Sequence, residues 1–262
     1  MTEVVKLIDV SKCTGCRSCQ LACKQWNQQP AKQTKHLGTY QNPPDLQSNT
    51  WTLIRFQEVA DKDGVKWLFR KDGCMHCTDA ACVKVCPSGA LYHTSYGTVG
   101  INHSRCIGCK ECVSACPFDI PRYDRDTDKV YKCDLCLSRI EADLTPACAK
   151  ACPTGAITFG EKTAMIKKAY ARVKELGGDA NVYGDKFVGG THVLYVLAEK
   201  PEVYDELPKK PSVPIATILW KDILKPLSLI SAGGVLGGAF LHYIIHGPKL
   251  PDEETNTKEG GE

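Results

Sequence analysis

Neither sign of charge dominates this 262-residue sequence: 33 Lys and Arg face 30 Asp and Glu, a formal +3. That balance gives no electrostatic argument for nucleic acid. The opening Met1-Thr2-Glu3-Val4-Val5-Lys6 has no apolar core before Cys13, so no signal peptide is expected. A disulfide scaffold is thereby disfavoured, and metal ligation becomes the leading use for cysteine. The sequence has no G-x-G-x-x-G, no phosphate loop and no paired acid and base at a recognisable spacing, which leaves no nucleotide site or self-sufficient catalytic machinery to assign. Long apolar runs are scarce too, with one late in the chain. Because the 43% hydrophobic fraction includes 16 cysteines, something besides apolar burial must help hold the protein together.

Cysteine is what the chain has in abundance, and its spacing is ordered. Cys13, Cys16, Cys19 and Cys23 form run one, and Cys106, Cys109, Cys112 and Cys116 form run three, both C-x2-C-x2-C-x3-C. Run two, Cys74, Cys77, Cys82 and Cys86, has four residues in its middle gap, and run four, Cys133, Cys136, Cys148 and Cys152, has eleven. No cysteine is left over. Three thiolates at such spacing wrap three corners of an iron-sulfur cubane while a fourth arrives from another run, the bacterial ferredoxin signature. Zinc also takes four thiolates, usually from two separated C-x-x-C pairs, and has no place for the third cysteine two residues on. The expected cofactors are therefore four [4Fe-4S] clusters, each carrying about −2 when oxidised, which would change the formal +3 to about −5.

Flanking residues suit the same chemistry. Pro87, Pro117 and Pro153 follow the last cysteine of runs two, three and four, whereas run one has Lys24 there. Gly15 and Gly108 allow close backbone approach to the sulfides. Lys12, Arg105 and Lys132 precede Cys13, Cys106 and Cys133 and either offset cluster charge or are ordinary solvated bases. His76, between Cys74 and Cys77, is a remote alternative iron ligand, since four cysteines already serve that run. The segment 11–23 repeats at 104–116, and 81–91 repeats at 147–157, so the chain reads as a duplicated two-cluster ferredoxin. The last cysteine of one run completes its partner's cluster, but spacing allows one-two with three-four as well as one-four with two-three.

The fold expected is α+β: two ferredoxin-like modules over residues 1–200, with motifs at 13–23, 74–86, 106–116 and 133–152. A β-hairpin is inserted between runs one and two, its strands Trp51 to Val59 and Val65 to Arg70 joined by Asp61-Lys62-Asp63-Gly64. Leu91-Tyr92 with Val99 to Ile101 reads as a small ribbon, Glu161 to Leu176 as a helix stopped by Gly177-Gly178, and His192 to Ala198 as a strand. Residues 201–221 read as a Pro- and Lys-rich linker, 222–246 as a membrane helix and 247–262 as a polar, disordered tail. Leu227 to Ile245 is free of formal charge and about 28 Å long as a helix, enough to cross a hydrocarbon core. Gly233, Gly234, Gly237 and Gly238 offer a close-packing face to another helix, and His242 reads as interfacial, with haem or quinone binding as the alternative. Lys209, Lys210, Lys221 and Lys225 before the span favour a cytoplasmic cluster domain by the positive-inside rule.

With the four runs, the segment KDGCMHC at 71–77, GGTHVLYVL at 189–197 and WKDILKPL at 220–227, the chain resembles the β subunit of membrane-bound respiratory formate dehydrogenase, of the -N and -O type. The cysteine runs are shared by many electron-transfer subunits, so the last two segments carry the specificity. The resemblance implies an electron-transfer subunit that is no enzyme by itself. Its partners would be a molybdenum or tungsten pterin α subunit that oxidises formate, a cytochrome b γ subunit that reduces quinone, and the bilayer, with a higher oligomer of that heterotrimer and no nucleic acid. It also implies the one-four and two-three pairing: Cys13, Cys16, Cys19 with Cys152; Cys133, Cys136, Cys148 with Cys23; Cys74, Cys77, Cys82 with Cys116; Cys106, Cys109, Cys112 with Cys86. Export of the prefolded subunit on the α subunit's twin-arginine signal would put the clusters in the periplasm, against the lysine count. The same wire in a membrane-bound hydrogenase or sulfur-compound reductase is the alternative.

Overall fold

A computed structural model describes residues 2–61 and 64–247 of the chain. They fall into two compact units, Met1–Thr217 and Ile218–Glu262. The first is built on a four-stranded sheet whose order is Ile157–Glu161, Val4–Asp9, Val193–Leu197, Asn181–Tyr183. Val4–Asp9 runs parallel to Val193–Leu197, with Leu7 opposite Leu194, and antiparallel to Ile157–Glu161. The period-two alternation of a strand separates its faces. Val5, Leu7, Leu194 and Val196 pack against Ala169, Met165 and Val173 of the helix Lys162–Leu176. Each such large aliphatic side chain, fully buried, stabilises by about 1.5–3 kcal/mol. On the opposite face, Ile8, Val193, Tyr195 and Leu197 join the main core, which also holds Cys19, Cys74, Cys133 and Cys148. Lys6 alternates onto this second face and is 1% exposed.

The helix begins where the Glu161 side chain accepts a hydrogen bond from Thr163 N, and Gly177 ends it with φ of 64°. Thr52–Asp61 and Gly64–Gly73 pair antiparallel over their whole lengths, Thr52 opposite Gly73 and Asp61 opposite Gly64. The hairpin expected from the sequence is therefore present, with its first strand starting one residue later and running on to Asp61 and its second extended to Gly64–Gly73; its tip, Lys62 and Asp63, lies outside the described residues. The ribbon at Leu91–His93 and Val99–Ile101 has a counterpart at Arg122–Asp124 and Lys129–Tyr131, where the expected duplication recurs.

Residues 201–217 lie against the first unit. Tyr204, Leu207 and Val213 are buried, Arg70 donates to Asp205 O at 3.0 Å, and Tyr183 Oη donates to Pro208 O at 2.6 Å. Composition marked this stretch as a linker because prolines forbid regular structure, yet its apolar side chains still find a core. In the second unit, Leu219–Leu224 is wound as a π-helix and Lys225–His246 as an α-helix, with Pro226 in its first turn. This helix has a mean hydropathy of 1.5 and none of it is buried. Of the tail expected over 247–262, all after Gly247 falls outside the described residues.

Candidate metal centre

Runs one and three fold alike. Gly15 and Gly108 both have φ of 66°, and Arg17 and Lys110, two residues on, cap the helices Ser18–Trp26 and Glu111–Ser114 in the left-handed region with φ of 61° and 64°. Each basic side chain lies over an aromatic ring, Arg17 Cζ 4.5 Å from the centroid of Phe56 and Lys110 Nζ 4.0 Å from that of Tyr123. The two glycines face different walls. A Cβ at Gly15 would stand 3.1 Å from the Phe56 and Phe69 rings, whereas one at Gly108 would stand 2.5 Å from Asp128 O. Packing against backbone thus demands glycine at position 108, while at position 15 the rings would have to give by a few tenths of an ångström.

The last cysteine of a run ends in a shared turn where proline follows: Gly89 N donates to Cys86 O, Asp119 N to Cys116 O and Gly155 N to Cys152 O. Run one departs because its helix continues to Trp26. Cys23 lies inside that helix, and the Lys24 ammonium reaches Asn49 O at 2.6 Å. Proline at position 24 would remove a helical N–H.

The fold gathers the thiols into four groups. Cys13, Cys16, Cys19 and Cys152 line one cavity, and Cys86, Cys106, Cys109 and Cys112 line another. Cys23 is within electrostatic reach of Cys133 and Cys148, as is Cys136. Cys77 is likewise placed near Cys74, Cys82 and Cys116. Each of the two cavities takes three thiols from one run and the last from another, which brings run one together with run four and run two together with run three. All sixteen thiols are free, and Cys16 and Cys109 alone among them are exposed.

Burial governs their protons. It pushes Cys19, Cys23, Cys82 and Cys112 up to about 12 and Cys116 up to about 11, and it drives Cys77 and Cys136 further upward. Exposed Cys16 is lowered, chiefly by the Ser18 hydroxyl. The partly exposed Cys86 is lowered as well, by backbone N–H groups and the Ser88 hydroxyl that outweigh its burial. Among the described residues, no three His, Cys, Asp or Glu side chains converge tightly enough to share one metal ion.

The basic residues flagged from sequence separate sharply. Lys12 is on the surface and pairs with Asp9 at 3.8 Å, and Arg105 is exposed. Lys132 is 1% exposed, and its ammonium donates to Val99 O at 2.6 Å and Cys133 O at 2.9 Å. Lys71, 2% exposed, was not singled out by its sequence neighbourhood, although alternation along a predicted strand would have placed it opposite Arg70 and Asp72. His76 is fully buried at φ of 51°; its Nδ1 accepts from Val99 N at 3.1 Å, which fixes the proton of the neutral ring on Nε2. Burial holds it well below the ordinary imidazole range.

Two family models described as "4Fe-4S dicluster domain" match residues 12–90 and 65–162, and one described as "Formate dehydrogenase N, transmembrane" matches 213–256. The formate dehydrogenase-O iron-sulfur subunit of Escherichia coli is 46% identical over 261 residues, covering 97% of this chain and 87% of that protein. The chain belongs to the iron-sulfur subunits of formate dehydrogenase. The Haemophilus influenzae formate dehydrogenase iron-sulfur subunit is 45% identical over 96% of this chain and 83% of its own length. A formate dehydrogenase 2 subunit beta (cytochrome c-553) of Nitratidesulfovibrio vulgaris is 39% identical over 76% of this chain and 95% of its own length. This subunit is a two-module 4Fe-4S electron-transfer protein with one membrane-anchoring helix, as its sequence implied.

Proposed function

We propose that this iron-sulfur subunit holds four [4Fe-4S] clusters on the four thiol groups and relays single electrons from a molybdenum or tungsten pterin subunit that oxidises formate to a cytochrome b subunit that reduces quinone. The ligand sets are Cys13, Cys16, Cys19 with Cys152; Cys133, Cys136, Cys148 with Cys23; Cys74, Cys77, Cys82 with Cys116; and Cys106, Cys109, Cys112 with Cys86. Each cluster, when bound, takes up and releases one electron without making or breaking a bond. The subunit does no formate chemistry of its own.

The observation that carries this reading is that the groups adjoin in series. Cys112 is within electrostatic reach of Cys82, Cys74 of Cys133, and Cys148 of Cys19. Exposed Cys109 and Cys16 stand at the two ends. The donor set supports iron-sulfur over zinc: runs one and three each place a third cysteine two residues after a C-x2-C pair, where a tetrahedral zinc site built from two separated pairs has no use for it. For the location we infer the periplasmic face, because a subunit exported already folded need not obey the lysine count of its flanks.

Low-temperature EPR on the anaerobically isolated membrane complex tests the reading, with formate and hydrogen as parallel donors. Reduced 4Fe-4S signals elicited by formate are expected. Signals with hydrogen alone would transfer the relay to a hydrogenase, and bound zinc with no signal even under dithionite would end it.

A further inference from the structure

Three lysines, Lys6, Lys71 and Lys132, are each no more than 2% exposed, and none forms an ion pair with a carboxylate among the described residues. Burying an ammonium without a counter-charge is costly enough that proteins rarely tolerate it once, let alone three times. Lys71 is the most informative. Its strand places Arg70 and Asp72 on one face, where Asp72 pairs with Arg55 at 2.8 Å, and turns Lys71 to the other. There its side chain lines the cavity of Cys13, Cys16, Cys19 and Cys152. Pairing opposite Ile54 and a 2.7 Å hydrogen bond from Tyr195 Oη to Lys71 O hold the backbone in place. A Cβ at Gly73 would stand 3.4 Å from the ammonium, so the side chain folds back along its own strand.

We propose that Lys71 is a counter-charge shared by the two cluster sites built from runs one and four, a positioning residue that holds both at a higher reduction potential than they would otherwise have. The proposal rests on the cluster reading above. Within reach of the ammonium lie Cys148 and Cys133, followed by Cys19 and Cys23, which belong to both sites. One-electron reduction takes a site with four thiolates from about −2 to about −3 without proton transfer, and a fixed cation nearby favours the more negative state. The cavity of Cys86, Cys106, Cys109 and Cys112 is the internal reference: among the described residues its one lining cation is Lys110, which is exposed and lies over Tyr123.

The test is an EPR-monitored redox titration of the intact membrane complex carrying Lys71→Met or Lys71→Arg, with iron content measured on each. In Lys71→Met, two signals should shift so that the reduced-to-oxidised ratio at a fixed potential falls about tenfold or more, which is about 59 mV for one electron. The other two should stay put, and Lys71→Arg should restore the first pair. Iron-replete Lys71→Met with all potentials unchanged overturns the proposal and leaves the cluster reading intact. Should Lys71→Met lose iron, Lys71→Arg decides: normal iron and normal potentials uphold the counter-charge, and failure to assemble marks Lys71 as a packing residue and overturns it. Absence of any 4Fe-4S signal from the unaltered complex is a failure of the underlying reading.

Discussion

The cavity lined by Cys13, Cys16, Cys19 and Cys152 and the cavity lined by Cys86, Cys106, Cys109 and Cys112 come from one repeated segment, and their inner frames coincide. The left-handed glycine, the left-handed basic cap over an aromatic ring and the hydroxyl two residues after the last cysteine, Thr154 or Ser88, recur in both. Their outer walls differ. At the run-one end the ten-residue strands of the inserted hairpin supply Phe56, Phe69 and Lys71. At the run-three end a three-residue ribbon supplies Val130, with Asp128 in its turn. The repeated segment gives both cavities one frame, and the inserted hairpin makes their walls electrostatically unlike.

Cutting the series at either end should have the largest effect. Cys16→Ser and Cys109→Ser should each abolish quinone reduction by formate while formate oxidation with an artificial acceptor at the catalytic subunit persists. Equal loss of both activities in a fully assembled complex would argue against a series path. Next comes the contrast between glycines. Gly108→Ala drives Cβ into backbone at positive φ and should cost about 2–4 kcal/mol, whereas Gly15→Ala meets ring edges that can shift and should cost about 1–2 kcal/mol. Denaturant-induced loss of iron-sulfur absorbance measures both, and equal costs would mean the two walls yield alike.

Lys132→Met strands Val99 O and Cys133 O in the core, an expected loss of about 1–3 kcal/mol in the same assay. Loss of a solvated lysine would leave the curve unmoved. The smallest effect belongs to the caps: Arg17→Ala should cost about 0.5–1 kcal/mol through its lost contact with Phe56. A larger loss would show that Arg17 also steadies the segment around Tyr40, whose carbonyl its guanidinium contacts.

What could be read in advance was whatever depends on neighbours in sequence. The cysteine runs, the hairpin, the helix ending at Gly177 and the apolar span were legible because their signals repeat within a few residues. Val4–Asp9 was not, although it lies inside the main sheet: its central Lys6 breaks the expected pattern of a buried strand, and its partners lie some 150 and 190 residues away, at Ile157–Glu161 and Val193–Leu197. The short strand Asn181–Tyr183 was invisible for a similar reason, since it is stabilised by pairing with Val193–Leu197 rather than by its own propensity. Residues 201–217 looked like linker because proline content is local, while the burial of Tyr204 and Leu207 is not.

The sequence by itself determined the donors, their number and their spacing, because a thiolate's chemistry and the reach of a short loop are local properties. Only the tertiary structure decided which runs line a common cavity and which lysines are stripped of water beside the thiols. Both depend on chain segments more than a hundred residues apart meeting in one core, where burial and charge are set by every wall at once.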